Sequence, residues 1–198
     1  MLTDNAVSHS FGLAADETIT QRIGTGLSQP SLRFYTFRSC VLVGHHQAIE
    51  DELRMDYCRT HVIPINRRPS SGRAVIMGPD QLAIALMIPG SNENPYNQEQ
   101  KLIGQFAQGV IDGLSGLGIE ATVQQQNDLI VENRKIADLG IFQASSGGFL
   151  FHAFMLVGLD VEYMQKVLNT PFVKISDNEI ATATATNISS IRREIGWE

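Results

Sequence analysis

Leu102, Ile103, Phe106, Val110, Ile111 and Leu114 recur every third or fourth position, and the run closes at Gly118. Such spacing lines one face of an α-helix and predicts the longest helix of the chain in NPYNQEQKLIGQFAQGVIDGLSGLG. SFGLAADETITQRIG carries a similar spacing and stops at glycine, so it predicts a helix near the start. AIEDELRMDYCRTH predicts another, acidic in its first turn and basic at its end as the helix dipole prefers. VEYMQKVL predicts a short one. Elsewhere the apolar residues are aromatic or β-branched and come in short runs bounded by turn residues. SLRFYTFR, SCVLVGHH, VIPINR and ATVQQQ read as strands. AVIMGPDQLAIALMIP reads as two strands broken at Gly78-Pro79-Asp80. DLIVENRKIADLGIFQAS turns at Glu132-Asn133, and GFLFHAFMLVGLD follows a turn from Ser145 to Gly148. The tail TATATNISSIRREIGWE alternates and then ends in a small helical turn. Strands cluster instead of alternating with helices. The expected class is α+β, with a central mixed, largely antiparallel sheet flanked by helices.

Composition narrows the picture. A length of 198 residues suits a single domain spanning 1–198, and 43% hydrophobic with 18% charged residues is ordinary globular chemistry. With 15 basic and 21 acidic residues the net charge is -6, which disfavours non-specific nucleic-acid binding. No run of 18 apolar residues predicts a membrane span. The opening MLTDNAVSHSFGLAADE lacks the basic start and apolar stretch of a secretory signal. The two cysteines, Cys40 and Cys58, make no disulfide framework, and Cys and His do not fall at zinc spacing. A reduced, cytoplasmic protein without a metal site is expected.

Three stretches carry candidate chemistry. In RRPSSGRAV, small residues permit close backbone approach and Arg67, Arg68 and Arg73 offer guanidinium forks, so the stretch is either an anion cradle or a solvated turn between strands. Lys135 interrupts an apolar run and either snorkels to solvent or directs its ammonium at an anion. His152 in FLFHAFML is either a hydrogen-bonded core residue or a site residue, and His45-His46 pose the same choice without a third metal ligand. Cys40 in an apolar strand and Cys58 in a helix read as buried small apolar residues.

These pieces occur together, and in this order, in the family of lipoate–protein ligases and octanoyltransferases, which the chain resembles from about Gly12 to Thr186. GLAADETI looks like the family's opening helix, and LRFYTFRSCVLVGHHQ like its first strand pair. RRPSSGRAVIMGPDQLAIAL resembles R-R-x-S/T-G-G-G-A-V-x-H-D-x-G-x-L, and NDLIVENRKIADLG resembles N-D-I/L/V-x4-K-I/L-x-G-x-A. FLFHAFMLVGLDVEYMQKVL is similar to L-x-H-G-x-I/L-L-x3-D followed by a helix. The resemblance implies a biotin/lipoate protein ligase-like catalytic domain. It implies that Lys135 contacts the acyl carbonyl and the phosphate in ligases, or acidifies a thiol in octanoyltransferases. Arg68 and the stretch Ser70, Ser71, Gly72, Arg73, Ala74, Val75 and Ile76 match the loop and strand that wrap an acyl-adenylate. Asn127, Asp128 and Ala137 belong to the lysine motif, and His152 matches a histidine beside the acyl pocket.

The implied activity is ATP-dependent attachment of lipoate or octanoate to a carrier lysine through an acyl-adenylate, with ATP and Mg2+ as cofactors. Octanoyl transfer from acyl carrier protein, or non-catalytic binding of an acyl group or carrier, are the alternatives. The implied partner is a lipoyl carrier domain, from a glycine-cleavage H-like protein or a 2-oxoacid dehydrogenase. The chain ends without the accessory C-terminal domain of many ligases, so a separate accessory subunit is a further expected partner. It departs from the pattern where Met77-Gly78 replaces His-Asp and where Asp138 replaces the glycine after the lysine. No cysteine stands after HAF or near QQQND, where the transferase branches carry theirs.

Overall fold

A computed structural model describes residues 1–90, 95–124, 128–169 and 187–197. Asn127, the end of ATVQQQ and the alternating part of the tail lie outside the described residues. Strands β1 (Leu2–Val7), β2 (Ser31–Phe37), β6 (Gln81–Ile88), β10 (Phe149–Leu156), β9 (Arg134–Gln143), β8 (Asp128–Val131) and β7 (Thr122–Gln124) form a seven-stranded sheet in that spatial order. Only the β1–β2 pair is parallel. β3 (Cys40–Val43) lies between β4 (Ile65–Arg67) and β5 (Val75–Met77) in a second, three-stranded sheet. The architecture is the expected mixed α+β fold. The adjacent strands SLRFYTFR and SCVLVGHH enter different sheets, and the turn at Gly78-Pro79-Asp80 carries the chain back from the small sheet to the large one.

Side-chain alternation divides the core into layers. Phe149, Phe151, Ala153 and Met155 pack beneath α4 (Pro95–Ser115) through Phe106, Val110 and Leu114. The other face of β10 carries Leu150 and Phe154, which meet Leu13 and Ile23 of α1 (His9–Gly24) and Leu42 and Met77 of the small sheet. The far side of the small sheet is covered by α2 (Ile49–Glu52), α3 (Met55–Thr60) and α5 (Val161–Val167), with Val41, Val43, Leu53 and Val167 at the centre. A final turn, α6 (Ile191–Glu194), is capped by the Ser190 hydroxyl.

One expectation is corrected. AIEDELRMDYCRTH is not one helix: Leu53 adopts an extended backbone and separates α2 from α3. The reason is tertiary. Leu53 bridges to Leu168, Arg54 N–H donates to the Val167 carbonyl, and Asn169 N–H donates to the Glu52 carbonyl, which removes this segment from helical bonding. The opening LTDNAV, to which no element is assigned from sequence, adds β1 to the sheet edge through its backbone while its side chains stay largely exposed.

Candidate functional site

The two sheets diverge along β5 and β8–β10 and leave a cavity of about 940 Å³, which α5 and the segment from Asn187 to Arg192 help to wall. Val75, Met77, Ile130, Phe154, Leu156 and Leu168 supply much of its apolar surface. Volumes of this order suit a small-molecule ligand buried along most of its length.

Lys135 stands in this wall because of a local irregularity. Two strand residues three apart normally face opposite sides of a sheet. Here Leu129 pairs with Ala137 and Ile130 with Lys135, so Ile136 is an extra residue in β9. That bulge turns Lys135 and Asp138 to the same side. The Lys135 ammonium donates to Asp138 Oδ1 at 2.7 Å and lies 2.6 Å from Asp128 Oδ1. Burial works against its charge, but the two carboxylates outweigh it and the pKa of Lys135 is raised. Ser189 N–H donates to the Lys135 carbonyl, and Arg134 grips Glu194 of α6 at 3.0 Å. The C-terminal wall is thereby fastened to the same strand.

The loop from Arg68 to Ala74 lies across the seam between the sheets. Arg68 is wholly buried and faces the protein. Its guanidinium donates to the carbonyls of Leu42 (2.9 Å), Ser71 (3.0 Å) and Arg73 (2.7 Å), and reaches Asp138 Oδ2 at 3.5 Å. Burial lowers the Arg68 pKa, against the pull of Asp138 and Glu52. Gly72 has φ +101, and a side chain there would press on the Arg68 guanidinium, so only glycine suits the turn. Ser70 Oγ and His152 Nε2 share a hydrogen bond of 3.0 Å beneath the loop. The imidazole stacks on Phe154 and occupies space that a Cβ at Gly140 would take. Burial, aided by the charge of Arg68, pushes His152 down to about 3. Glu52 accepts from Ala74 N–H at 2.7 Å and lies 3.4 Å from Arg73, whose side chain is half exposed on the cavity rim.

The cavity therefore brings together Lys135, Asp128, Ala137, Arg73, Ala74, Val75 and Ile76. Arg68, Ser70, Ser71, Gly72 and His152 do not line it: the side chains of Arg68, Ser70 and His152 hold the loop from behind, bonded to loop carbonyls and to one another, while Ser71 and Gly72 form the turn itself. Glu52, Asp138, Phe154, Tyr163 and Ile188 line it without having been singled out as site residues. Of these, Asp138 was visible in sequence as an acid three residues after the lysine. Cys40 and Cys58 are buried, burial raises both thiol pKa values, that of Cys40 to about 12, and neither lines the cavity. They are the only cysteines of the chain.

A large sheet and a small one, with a lysine-bearing cavity at their seam, are shared with the lipoate and biotin ligase-like fold. The chain matches the lipoyl protein ligase A/B catalytic domain over residues 8–198 and belongs to that family. It is 28% identical to the octanoyltransferase LipM of Clostridioides difficile over 94% of this chain and 75% of that protein. It is 27% identical to lipoate-protein ligase A subunit 1 of Thermoplasma acidophilum, over 96% of this chain and 74% of that protein. The solved structure of a bi-partite lipoate protein ligase with its E2 lipoyl domain, from the same archaeon, superposes with a TM-score of 0.83 at 26% identity, covering 97% of this chain and 74% of that one.

Proposed function

We propose that the chain transfers an eight-carbon acyl group, octanoyl or lipoyl, to the lysine of a lipoyl carrier domain. The observation that carries this reading is the Lys135 ammonium, fixed 2.6 and 2.7 Å from two carboxylates in the wall of an apolar cavity. Each methylene of the chain buried against Val75, Ile130 and Phe154 contributes about 0.8 kcal/mol. When the carrier amine attacks the acyl carbonyl, negative charge gathers on the carbonyl oxygen, and a fixed ammonium beside it lowers the barrier.

The donor distinguishes two forms of this reading. The C. difficile relative is named an octanoyltransferase, which supports an octanoyl thioester as donor. Both cysteines lie buried away from the cavity, which supports transfer without a covalent acyl-thioenzyme, as when ATP and lipoate or octanoate form an acyl-adenylate. Among the described residues no three His, Cys, Asp or Glu side chains are grouped to hold a metal ion, so Mg2+ would enter with the phosphates of ATP.

Intact-mass measurement of an unmodified lipoyl domain tests both forms. One arm supplies octanoyl-acyl carrier protein without ATP, the other supplies MgATP with octanoate or lipoate, each with and without an accessory subunit. A gain of one acyl group in either arm, lost in Lys135→Met, is expected. No gain in any arm overturns the proposal.

A further inference from the structure

We propose that Asp138 is a positioning residue that holds the Lys135 ammonium and ties it to the loop from Arg68 to Ala74, while Asp128 is the partner that yields its place to an oxygen of the acyl group. The inference rests on the acyl-transfer reading of the cavity. It starts from an imbalance between the two carboxylates. The Asp138 side chain is 12% exposed and that of Asp128 is 28% exposed, and their distances to Lys135 are nearly equal. Asp138 has a second obligation: Oδ1 accepts from Lys135, and Oδ2 faces Arg68 at 3.5 Å. Moving it would leave the buried Arg68 and the half-buried Lys135 short of a counter-charge. Asp128 has no comparable tie to Arg68, lies nearer solvent and begins β8.

The charge balance points the same way. Lys135 and Arg68 are matched by Asp128 and Asp138, so the seam is neutral as it stands. Among the described residues, Glu52 with Arg73, Asp80 with Arg192, and Asp160 are the other charged groups along the cavity. An anionic oxygen arriving at Lys135 would meet both carboxylates unless one withdrew. Withdrawal of Asp128 exposes the open side of the ammonium and leaves its back held. The bulge at Ile136 makes this division workable, because the extra residue brings Asp138 to the same face as Lys135.

The test has two arms. Competitive labelling with acetic anhydride, read by peptide mass spectrometry across pH, reports the ammonium of Lys135 whatever the protein's reaction. Loss of the carboxylate in Asp138→Asn lowers the pKa of Lys135, so labelling at pH 8.5 should rise about tenfold for a one-unit fall. Asp138→Gly gives a second variant with the same expected direction. Wild-type Lys135 should label more slowly than an ordinary lysine of equal exposure. In the second arm, octanoate binding is followed by calorimetry. Asp128→Asn should tighten it about fivefold by removing the competing anion, and Asp138→Asn should weaken it. Unchanged labelling in both Asp138 variants, or equal effects of Asp128→Asn and Asp138→Asn on octanoate, would overturn the proposal. If octanoate binds none of these proteins, the assignment of Asp128 as the yielding partner fails, and the labelling arm alone decides whether Asp138 positions Lys135; the acyl-transfer reading itself stands or falls with the carrier-mass experiment.

Discussion

His152 carries an imidazole in a place where protonation is costly. It is buried, stacked on Phe154, hydrogen-bonded to Ser70 and near the Arg68 charge, with a pKa pushed down to about 3. In the unfolded chain it returns to about 6.5. Above that pH neither state binds the proton. Between about 6.5 and about 3 the unfolded state binds it and the native state does not, so stability falls as pH falls. Comparing unfolding free energies at pH 7.5 and 4.5, the wild type should lose about 2.5 kcal/mol more than His152→Gln. Equal losses would show that the imidazole titrates normally in the fold. The cysteines pose the opposite case. Cys40→Ala and Cys58→Ala should keep acyl transfer within about twofold of wild type, because a buried thiol held protonated is a poor nucleophile. Lys135→Met should cost at least a hundredfold in turnover, the usual scale for removing a charge aimed at a developing oxyanion, and some stability as well, because Asp128 and Asp138 lose their shared counter-charge. Carrier mass after timed reaction measures both.

At the scale of elements, the β8–β9 hairpin joins legible and hidden information. Glu132 and Asn133 both have positive φ, +47° and +66°, the geometry of a two-residue hairpin turn. Glutamate is poorly suited to that backbone. Replacing the pair by Asn-Gly should stabilise the protein by about 1 kcal/mol, a rise of about 2–4 °C in Tm for a chain of this size. The Glu132–Arg134 ion pair that is lost is exposed on the glutamate side and offsets little. The turn itself was readable, since two polar residues separate two apolar runs. The bulge beyond it was not. Period-two alternation assigns Lys135 and Asp138 to opposite faces, and no residue type at Ile136 announces the extra position. The same limit hid the break at Leu53, where helical spacing continues in the sequence but pairing with Leu168 wins. It also hid the direction of Arg68, Ser70 and His152. Their residue types pointed to a site, yet only packing decides whether a polar group faces the cavity or the seam behind it.

The whole molecule depends on that seam. The small sheet carries the loop, the large sheet carries Lys135, and among the described residues two polar ties cross between them: Arg68 to Asp138 and Ser70 to His152. Both anchor one short stretch of backbone, so they should not act independently. Ser70→Ala leaves a buried imidazole nitrogen without its partner and should cost about 1–3 kcal/mol. Asp138→Asn should cost a similar amount by weakening the hold on Arg68. Cutting the first tie loosens the loop and lowers what the second contributes. The double variant should therefore fall short of the summed losses by about 0.5–2 kcal/mol. Denaturant unfolding of the four proteins measures the coupling. Trypsin offers an independent reading at Arg73, whose half-exposed side chain sits at the end of the loop. Cleavage there should accelerate in either single variant and little further in the double. Additive losses of stability, with cleavage at Arg73 unchanged, would mean that the two sheets hold the loop by separate means and that Lys135 is set without it.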